Sequence, residues 1–229
     1  VGSGIAGLSA AHGLAGHARV TLFEAGAYFG GHAHTVDMTL DGVSHGVDTG
    51  FLVLNERTYP KLLRLFSELG VETVPSEMSF SVQVPGVAGV AGVSKAGIEW
   101  SGNNLNTVFA QRSNLLRPGF WRMLRDIARF NRETTALALA GDEAALDQTI
   151  GAFLILRGYS VEFRDWYFLP MIGCIWSCPV DQILHFPVAT LIRFCHNHGL
   201  IQVTDRPQWR TVRGGSRTYV DKMVSAVAD

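Results

Sequence analysis

The sequence predicts an α/β protein, and three stretches carry that prediction. "VGSGIAG" opens the chain with glycines at 2, 4 and 7 and runs into an Ala-rich apolar segment with Ile5, Leu8 and Ala11 at helical spacing. "RVTLFE" (Arg19 to Glu24) is a short β-branched and aromatic run that reads as a strand. "RTVRGGSRTYVDKM" (Arg210 to Met223) returns to a Gly-rich turn ahead of a second helical segment, with Ser216 placed to cap it.

The opening stretch matches G-x-G-x-x-G, and each glycine has a separate physical task. Gly2 permits a tight strand-to-helix turn, Gly4 lets a pyrophosphate approach the backbone, and Gly7 lets the helix pack closely on the strand. Backbone N–H groups of the segment Gly2, Ser3, Gly4, Ile5, Ala6 and Gly7 then face an anion at the positive end of a helix. Gly-rich turns are common in a chain with 25 glycines, so the pattern needs a second signal. Glu24 supplies it. It ends the predicted second strand, 17 residues beyond Gly7, where a carboxylate accepts hydrogen bonds from an adenosine ribose, and Ala25 follows it. A carboxylate there also disfavours a 2′-phosphate.

"GGHAHT" (Gly30 to Thr35) adds a second glycine pair, and paired glycines can turn their N–H groups toward an anion with no side chain in the way. From here the sequence resembles the flavin amine oxidase superfamily, whose ribose-binding glutamate is followed by a Gly-Gly segment. Most members place Arg after the glycines, where this chain has His32. "DTGFLVLNERTYPKLLRLFSELGV", "MSFSV", "FPVATLIRFCHNHGL" and "WRTVRGGSRTYV" resemble one branch of predicted NAD/FAD-binding proteins with an amine-oxidase-like fold. The resemblance implies FAD as cofactor, with Gly30, Gly31, His32, Thr49, Gly50 and Phe51 joining the first glycines and Glu24 around it. It implies a Rossmann-like FAD-binding domain with an α+β substrate domain, incomplete at both ends. It also implies that Trp166, Phe168 and Trp176 line a substrate cavity, and it associates some relatives with enzymes that modify lipid acyl chains.

The expected organisation is a FAD-binding part at 1–74, a substrate-binding part at 75–205 and a return to the first domain at 206–229. Within these, a hairpin is expected near "MTLDGVSHGVD", a helix with Leu62, Leu63, Leu65, Phe66 and Leu69 stopped by Gly70, and strands at "SFSVQV" and "GIEWSG". The repeat "GVAGVAGV" (Gly86 to Val93) reads as a hairpin tip. Long helices are expected from Pro118 to about Leu139 and from about Glu143 to Leu156. An apolar fraction of 47% is enough for a sizeable core, and a net charge of −1 with scattered cations gives no nucleic-acid footprint. Arg112, Arg117, Arg122, Arg125, Arg129 and Arg132 form a local basic series, read as a solvated face, with a surface for anionic lipid or an acyl carrier as the alternative.

Three cysteines argue for a reducing, cytoplasmic setting rather than a disulfide framework. Cys174 and Cys178 with His196 and His198 do not make zinc-ligand spacing, because H-x-H falls short of the usual separation, so no metal site is expected. No apolar run reaches the roughly 18 residues that span a bilayer. His196 and His198 are the clustered titratable groups of the substrate part, candidates for substrate contact or proton transfer against a plain helix-end role.

The reading that follows is an FAD-dependent oxidoreductase acting on an apolar, lipid-acyl or amine substrate. A redox-neutral flavin isomerase, a non-catalytic flavin-binding partner of a lipid-modifying enzyme, and an NAD-only dehydrogenase stay open beside it.

Overall fold

The structure, a computed structural model, describes residues 1–86, 97–141, 146–176, 178–201 and 207–228. The chain divides into two units, Val1–Met78 with Pro207–Asp229, and Ser79–Arg206.

In the first unit the helix Ile5–Leu14 follows the opening turn and packs against the terminal helix Arg217–Ala228. Between them in sequence come β1 (Thr35–Leu40) and β2 (Val43–Asp48), an antiparallel hairpin in which Leu40 pairs with Val43. Its two turn residues, Asp41 and Gly42, have φ of 51° and 79°, the positive pair that a two-residue hairpin matched to strand twist requires. The helix Pro60–Glu68 starts with proline in its first turn and stops as the sequence predicts. Gly70 takes φ 61°, its N–H donates to the Ser67 carbonyl, and the Val71 N–H donates to the Phe66 carbonyl. This 6→1 and 5→2 pair is the Schellman closure, and it brings buried Val71 onto buried Phe66. Next, β3 (Thr73–Ser76) runs antiparallel to β6 (Trp209–Val212), joining the two chain segments of the unit. Leu8, Leu54, Phe66, Tyr219 and Met223 fill the core.

One predicted element differs. Among the described residues Arg19–Glu24 forms no ladder; it is tied to the turn by the Gly2 N–H donating to the Phe23 carbonyl at 2.7 Å. A strand exists only through a paired neighbour, and among the described residues none forms a ladder with this run. The remaining strand-like contact near the turn is a single parallel bridge between Gly4 and Gly30.

The second unit is mainly helical. β4 (Ser81–Val84) and β5 (Ile98–Ser101) pair where "SFSVQV" and "GIEWSG" predict strands. Residues 87–96, which include most of the "GVAGVAGV" repeat, lie outside the described residues. The helix Pro118–Ala140 ends at Gly141 in the left-handed region and buries Phe120, Met123 and Phe130. The helix expected from Glu143 is shorter in its described part: Asp147–Thr149 is non-helical, and a new helix Ile150–Leu156 starts where the Thr149 hydroxyl accepts the Ala152 N–H.

The aromatic stretch "YSVEFRDWYFLPMIGCIWS" folds as Val161–Phe163, a π turn over Arg164–Phe168, and the helix Leu169–Trp176. Pro170 explains part of this. It has no N–H, so the Trp166 carbonyl four residues back lacks its helical donor, and the Trp100 indole N–H fills that place at 3.2 Å. Trp166 and Phe168 therefore belong to the closed core, Phe168 with no exposed surface and its ring 5.5 Å from that of Phe130. Trp176 is half-buried, edge-on to Phe186 and Phe194. The resemblance implied a cavity wall for these three; in this unit the first two serve as packing. Phe168→Ala is accordingly expected to cost about 3–5 kcal/mol, read as a lowered denaturant midpoint. A variant of unchanged stability would return Phe168 to a cavity wall.

Candidate functional site

The glycine-rich turn is tied down by one carboxylate. Glu24 accepts from both the N–H of Ser3 (2.7 Å) and its hydroxyl (2.5 Å) through one oxygen, and from the Gly26 N–H (2.7 Å) through the other. Ser3 is fully buried, and its carbonyl and hydroxyl both accept from the Gly30 N–H, at 3.0 and 3.3 Å. The two glycine segments are thus bound together through a single serine.

 Counted along the chain, Gly4 and Gly30 lie 26 residues apart, and Ser3 is what joins them.

The other glycines of the motif divide into those that close the structure and those that leave it open. A Cβ on Gly7 would sit 1.9 Å from the Gly2 carbonyl oxygen, so only glycine allows the helix to lie this near the turn. A Cβ on Gly50 would meet the His32 carbonyl oxygen at 2.2 Å, and that same oxygen accepts the Phe51 N–H at 2.7 Å. The Thr49 N–H donates to the His34 carbonyl, while the Thr49 hydroxyl meets the His34 ring nitrogen at 2.7 Å. Thr49, Gly50 and Phe51 therefore clamp the second glycine loop, and Phe51 sets its ring edge-on to Tyr59. Gly4 is the opposite case: a Cβ there would meet nothing within 4 Å. Gly31 lies against it, with a Cβ on Gly31 falling 3.2 Å from the Gly4 Cα.

The helix that starts here is left open at its N-terminus. Gly4 gives Ile5–Leu14 no side-chain cap, and its first turn holds no acid. The Leu8 N–H closes onto the Gly4 carbonyl, which leaves the N–H groups of Ile5, Ala6 and Gly7 to be satisfied from outside the helix. Ile5 and Ala6 are exposed, as are Ala25, Gly31 and His32 around the same mouth.

A second cluster supports the first from the far side of the hairpin. Asp48 accepts from the Thr35 hydroxyl (2.6 Å), the Ser216 hydroxyl (2.7 Å) and the Ser216 N–H (2.8 Å), and the Thr35 hydroxyl accepts the Arg217 N–H (2.9 Å). The start of the terminal helix is thus capped by residues some 170–180 positions away, with Ser216 donating its hydroxyl rather than accepting at its own helix (sequence separations of 168 and 182). Thr35 and Asp48 were missed as structural determinants of the site. The signal was the alternation of the hairpin, which puts Thr35, Asp37 and Thr39 on one face with Ser44, Gly46 and Asp48.

His196 and His198 lie on the last turn of the helix Val188–Asn197 and just beyond it. The His196 carbonyl accepts the Gly199 N–H, while the His198 ring nitrogen Nδ1 donates to the Phe194 carbonyl at 2.9 Å and its ring stacks on Phe194. These are helix-end contacts. Burial pushes the Cys195 thiol up to about 12, Cys174 is exposed, and among the described residues no group of three metal-ligating side chains occurs.

Residues 1–69 match the family model described as the NAD(P)-binding Rossmann-like domain. A double mutant of putrescine oxidase matches the whole chain with a TM-score of 0.62 at 21% identity, the chain covering 48% of that protein. The fold is shared with putrescine oxidase. Wild-type putrescine oxidase bound to putrescine gives 0.60 at 20% identity over the same 48%, and an oxidoreductase from Methanosarcina mazei gives 0.53 at 19%. The chain therefore spans about half the length of these structures. No curated protein matches it. Among the described residues no helix is long and apolar enough to cross a membrane.

Within this fold the Glu24 carboxylate carries a measurable signature. Its donors, the Ser3 hydroxyl first, then the Gly26 and Ser3 N–H groups, lower its pKa from 4.5 to about 2. A carboxylate depressed in the folded state stabilises the fold above its unfolded pKa and loses that contribution as pH falls toward the folded one. Glu24→Gln is thus expected to be less stable than the parent at neutral pH, with the gap closing as pH falls from 4.5 to about 2. Denaturant midpoints of both proteins across that range provide the check, and a gap independent of pH would refute the ionised clasp.

Proposed function

We propose that the chain is the dinucleotide-binding part of an FAD-dependent oxidoreductase of the amine oxidase type, oxidising an apolar, lipid-acyl or amine substrate. The observation that supports this reading is the meeting of the two glycine segments, Gly4 against Gly31, at an uncapped helix start beside Glu24. A single Gly-rich turn suits any dinucleotide; the second pair adds backbone donors where a longer pyrophosphate-bearing cofactor needs them. The shared fold with putrescine oxidase and the Rossmann-like match over 1–69 support it independently.

In this reading the N–H groups of Ile5, Ala6 and Gly7 bind the pyrophosphate, and Gly4 and Gly31 leave room for it. Glu24, fixed by Ser3 and Gly26, accepts from the ribose hydroxyls. Thr49, Gly50 and Phe51 hold the His32 loop in place against the mouth. Bound FAD would supply the hydride acceptor, and the protein's part is orientation and exclusion of water.

The purified protein should carry visible flavin absorption and release FAD on denaturation. A colourless protein that also refuses added FAD would overturn the proposal, and release of a nicotinamide dinucleotide would replace it.

Two glycine variants separate binding from folding. Gly4 has φ −63°, so an alanine there is unstrained and meets no protein atom. Gly4→Ala is expected to keep the fold by circular dichroism and to weaken FAD binding at least about tenfold, equivalent to ~1.4 kcal/mol. Gly7→Ala, driven into the Gly2 carbonyl, is expected to lower thermal stability as well. Full flavin occupancy and affinity in Gly4→Ala would show that nothing binds against this face.

A further inference from the structure

The second unit carries a surface that the proposed cofactor site does not use. From Gly102 to Arg125 the sequence holds four arginines, Arg112, Arg117, Arg122 and Arg125, and no acid. The same stretch leaves large apolar side chains outside the core: Leu105 is 78% exposed, Leu115 46%, Leu116 88% and Trp121 49%. Leu139, Ile155 and Leu156 are exposed elsewhere in this unit, but the four here fall within seventeen positions beside four arginines and no acid, and that combination marks a surface feature.

The local structure fixes them together. A short helix Leu105–Val108 starts at Asn104, whose side chain accepts the Thr107 N–H, and a 3₁₀ turn Arg112–Leu116 follows. The Asn114 side chain, fully buried, donates to the Glu99 carbonyl and pins that turn to β5. The Trp121 indole N–H donates to the Leu115 carbonyl at 2.9 Å, and its ring lies 5.4 Å from that of Phe109. Leu115, Leu116 and Trp121 therefore form one apolar tip on a supported turn.

Arginines flank the tip in sequence on both sides. Arg112 donates to the neutral Asn106 side chain at 2.6 Å, so that contact leaves its charge uncompensated. Arg125 is 73% exposed and only 3.8 Å from the buried Asp126 carboxylate, which Arg129 also approaches at 3.6 Å. Arg117 donates to the Gly97 carbonyl, and Arg122 pairs with Glu162. The nearby Glu99 carboxylate accepts from Gln83.

We propose that this segment docks the protein onto an anionic phospholipid surface. Leucine and tryptophan at the tip enter the headgroup boundary, where an amphipathic indole is favoured, while Arg112 and Arg125 lie level with the lipid phosphates. Charge complementarity selects the occupant. A neutral apolar partner would leave Arg112 and Arg125 unmatched, whereas an anionic bilayer satisfies both these cations and the tip. The inference does not depend on the cofactor, since it concerns the surface of the other unit.

Co-sedimentation with vesicles tests it, using phosphatidylcholine alone and an equal mixture with phosphatidylglycerol. The protein should pellet with the mixed vesicles, weakly with the neutral ones, and less as salt is raised. Arg112→Glu with Arg125→Glu should lower partitioning by at least about thirty-fold, from ~1 kcal/mol for each of the two cations lost. Leu116→Glu should lower it without changing the circular dichroism spectrum. All three positions are on the surface, so folding is expected to be retained and is checked in the same samples. No pelleting with anionic vesicles, or equal pelleting of the parent and both variants, would overturn the proposal. Concentration-dependent self-association that Leu116→Glu abolishes, without vesicle binding, would also overturn it and assign the tip to a second copy of the chain.

Discussion

The first unit depends on the hydrogen bonds between Glu24 and Ser3. Remove them, and the turn at Gly2–Gly4, the chain beyond residue 24 and the second glycine loop lose their common anchor. Ser3 is buried with two donors on Glu24 and two acceptors for the Gly30 N–H, so every one of its polar groups is satisfied. That arrangement is what a buried serine demands, because an unpaired polar group in such a place costs more than the bond it replaces. It also fixes Glu24 as an anion, which makes the same carboxylate available as an acceptor at the rim of the helix mouth.

Around this anchor, missing side chains set the distances. Gly7 brings the helix onto the turn, Gly50 admits the His32 carbonyl, and Gly215 lies against Thr35, where a Cβ would approach a side-chain carbon to 2.5 Å. These close approaches leave the open ground at Gly4 as the exception. The region is thus packed tightly everywhere but at one uncapped helix start, and the proposed pyrophosphate site rests on that opening.

The hairpin β1–β2 shows how far the tertiary structure departs from a simple inside-outside rule. Its polar face, Thr35 and Asp48, is turned to the start of the terminal helix, while Val36, Met38, Leu40, Val43 and Val47 are exposed. The polar residues are there because the helix start supplies N–H groups that need acceptors. The Arg217–Asp37 pair, at 2.7 Å, lies on the same face and extends the link between hairpin and helix.

By itself the sequence determined the elements whose cause is local. The Pro118 start, the Gly70 stop, the Asp41–Gly42 hairpin and the glycine spacing of the opening turn follow from φ preferences and steric room that neighbouring residues decide. Glu24 was legible as an acid at a set distance from the turn, whereas its hold on that turn through Ser3 is a contact of the folded chain. The tertiary structure decided what depends on distant partners. Arg19–Glu24 reads as a strand but pairs with none among the described residues, Phe168, which the family resemblance implied as a cavity wall, is enclosed by Phe130 and Phe163, and the cap of the terminal helix comes from Thr35 and Asp48. Strand pairing, burial and remote capping are contacts between residues far apart in sequence, and only the folded chain brings them together.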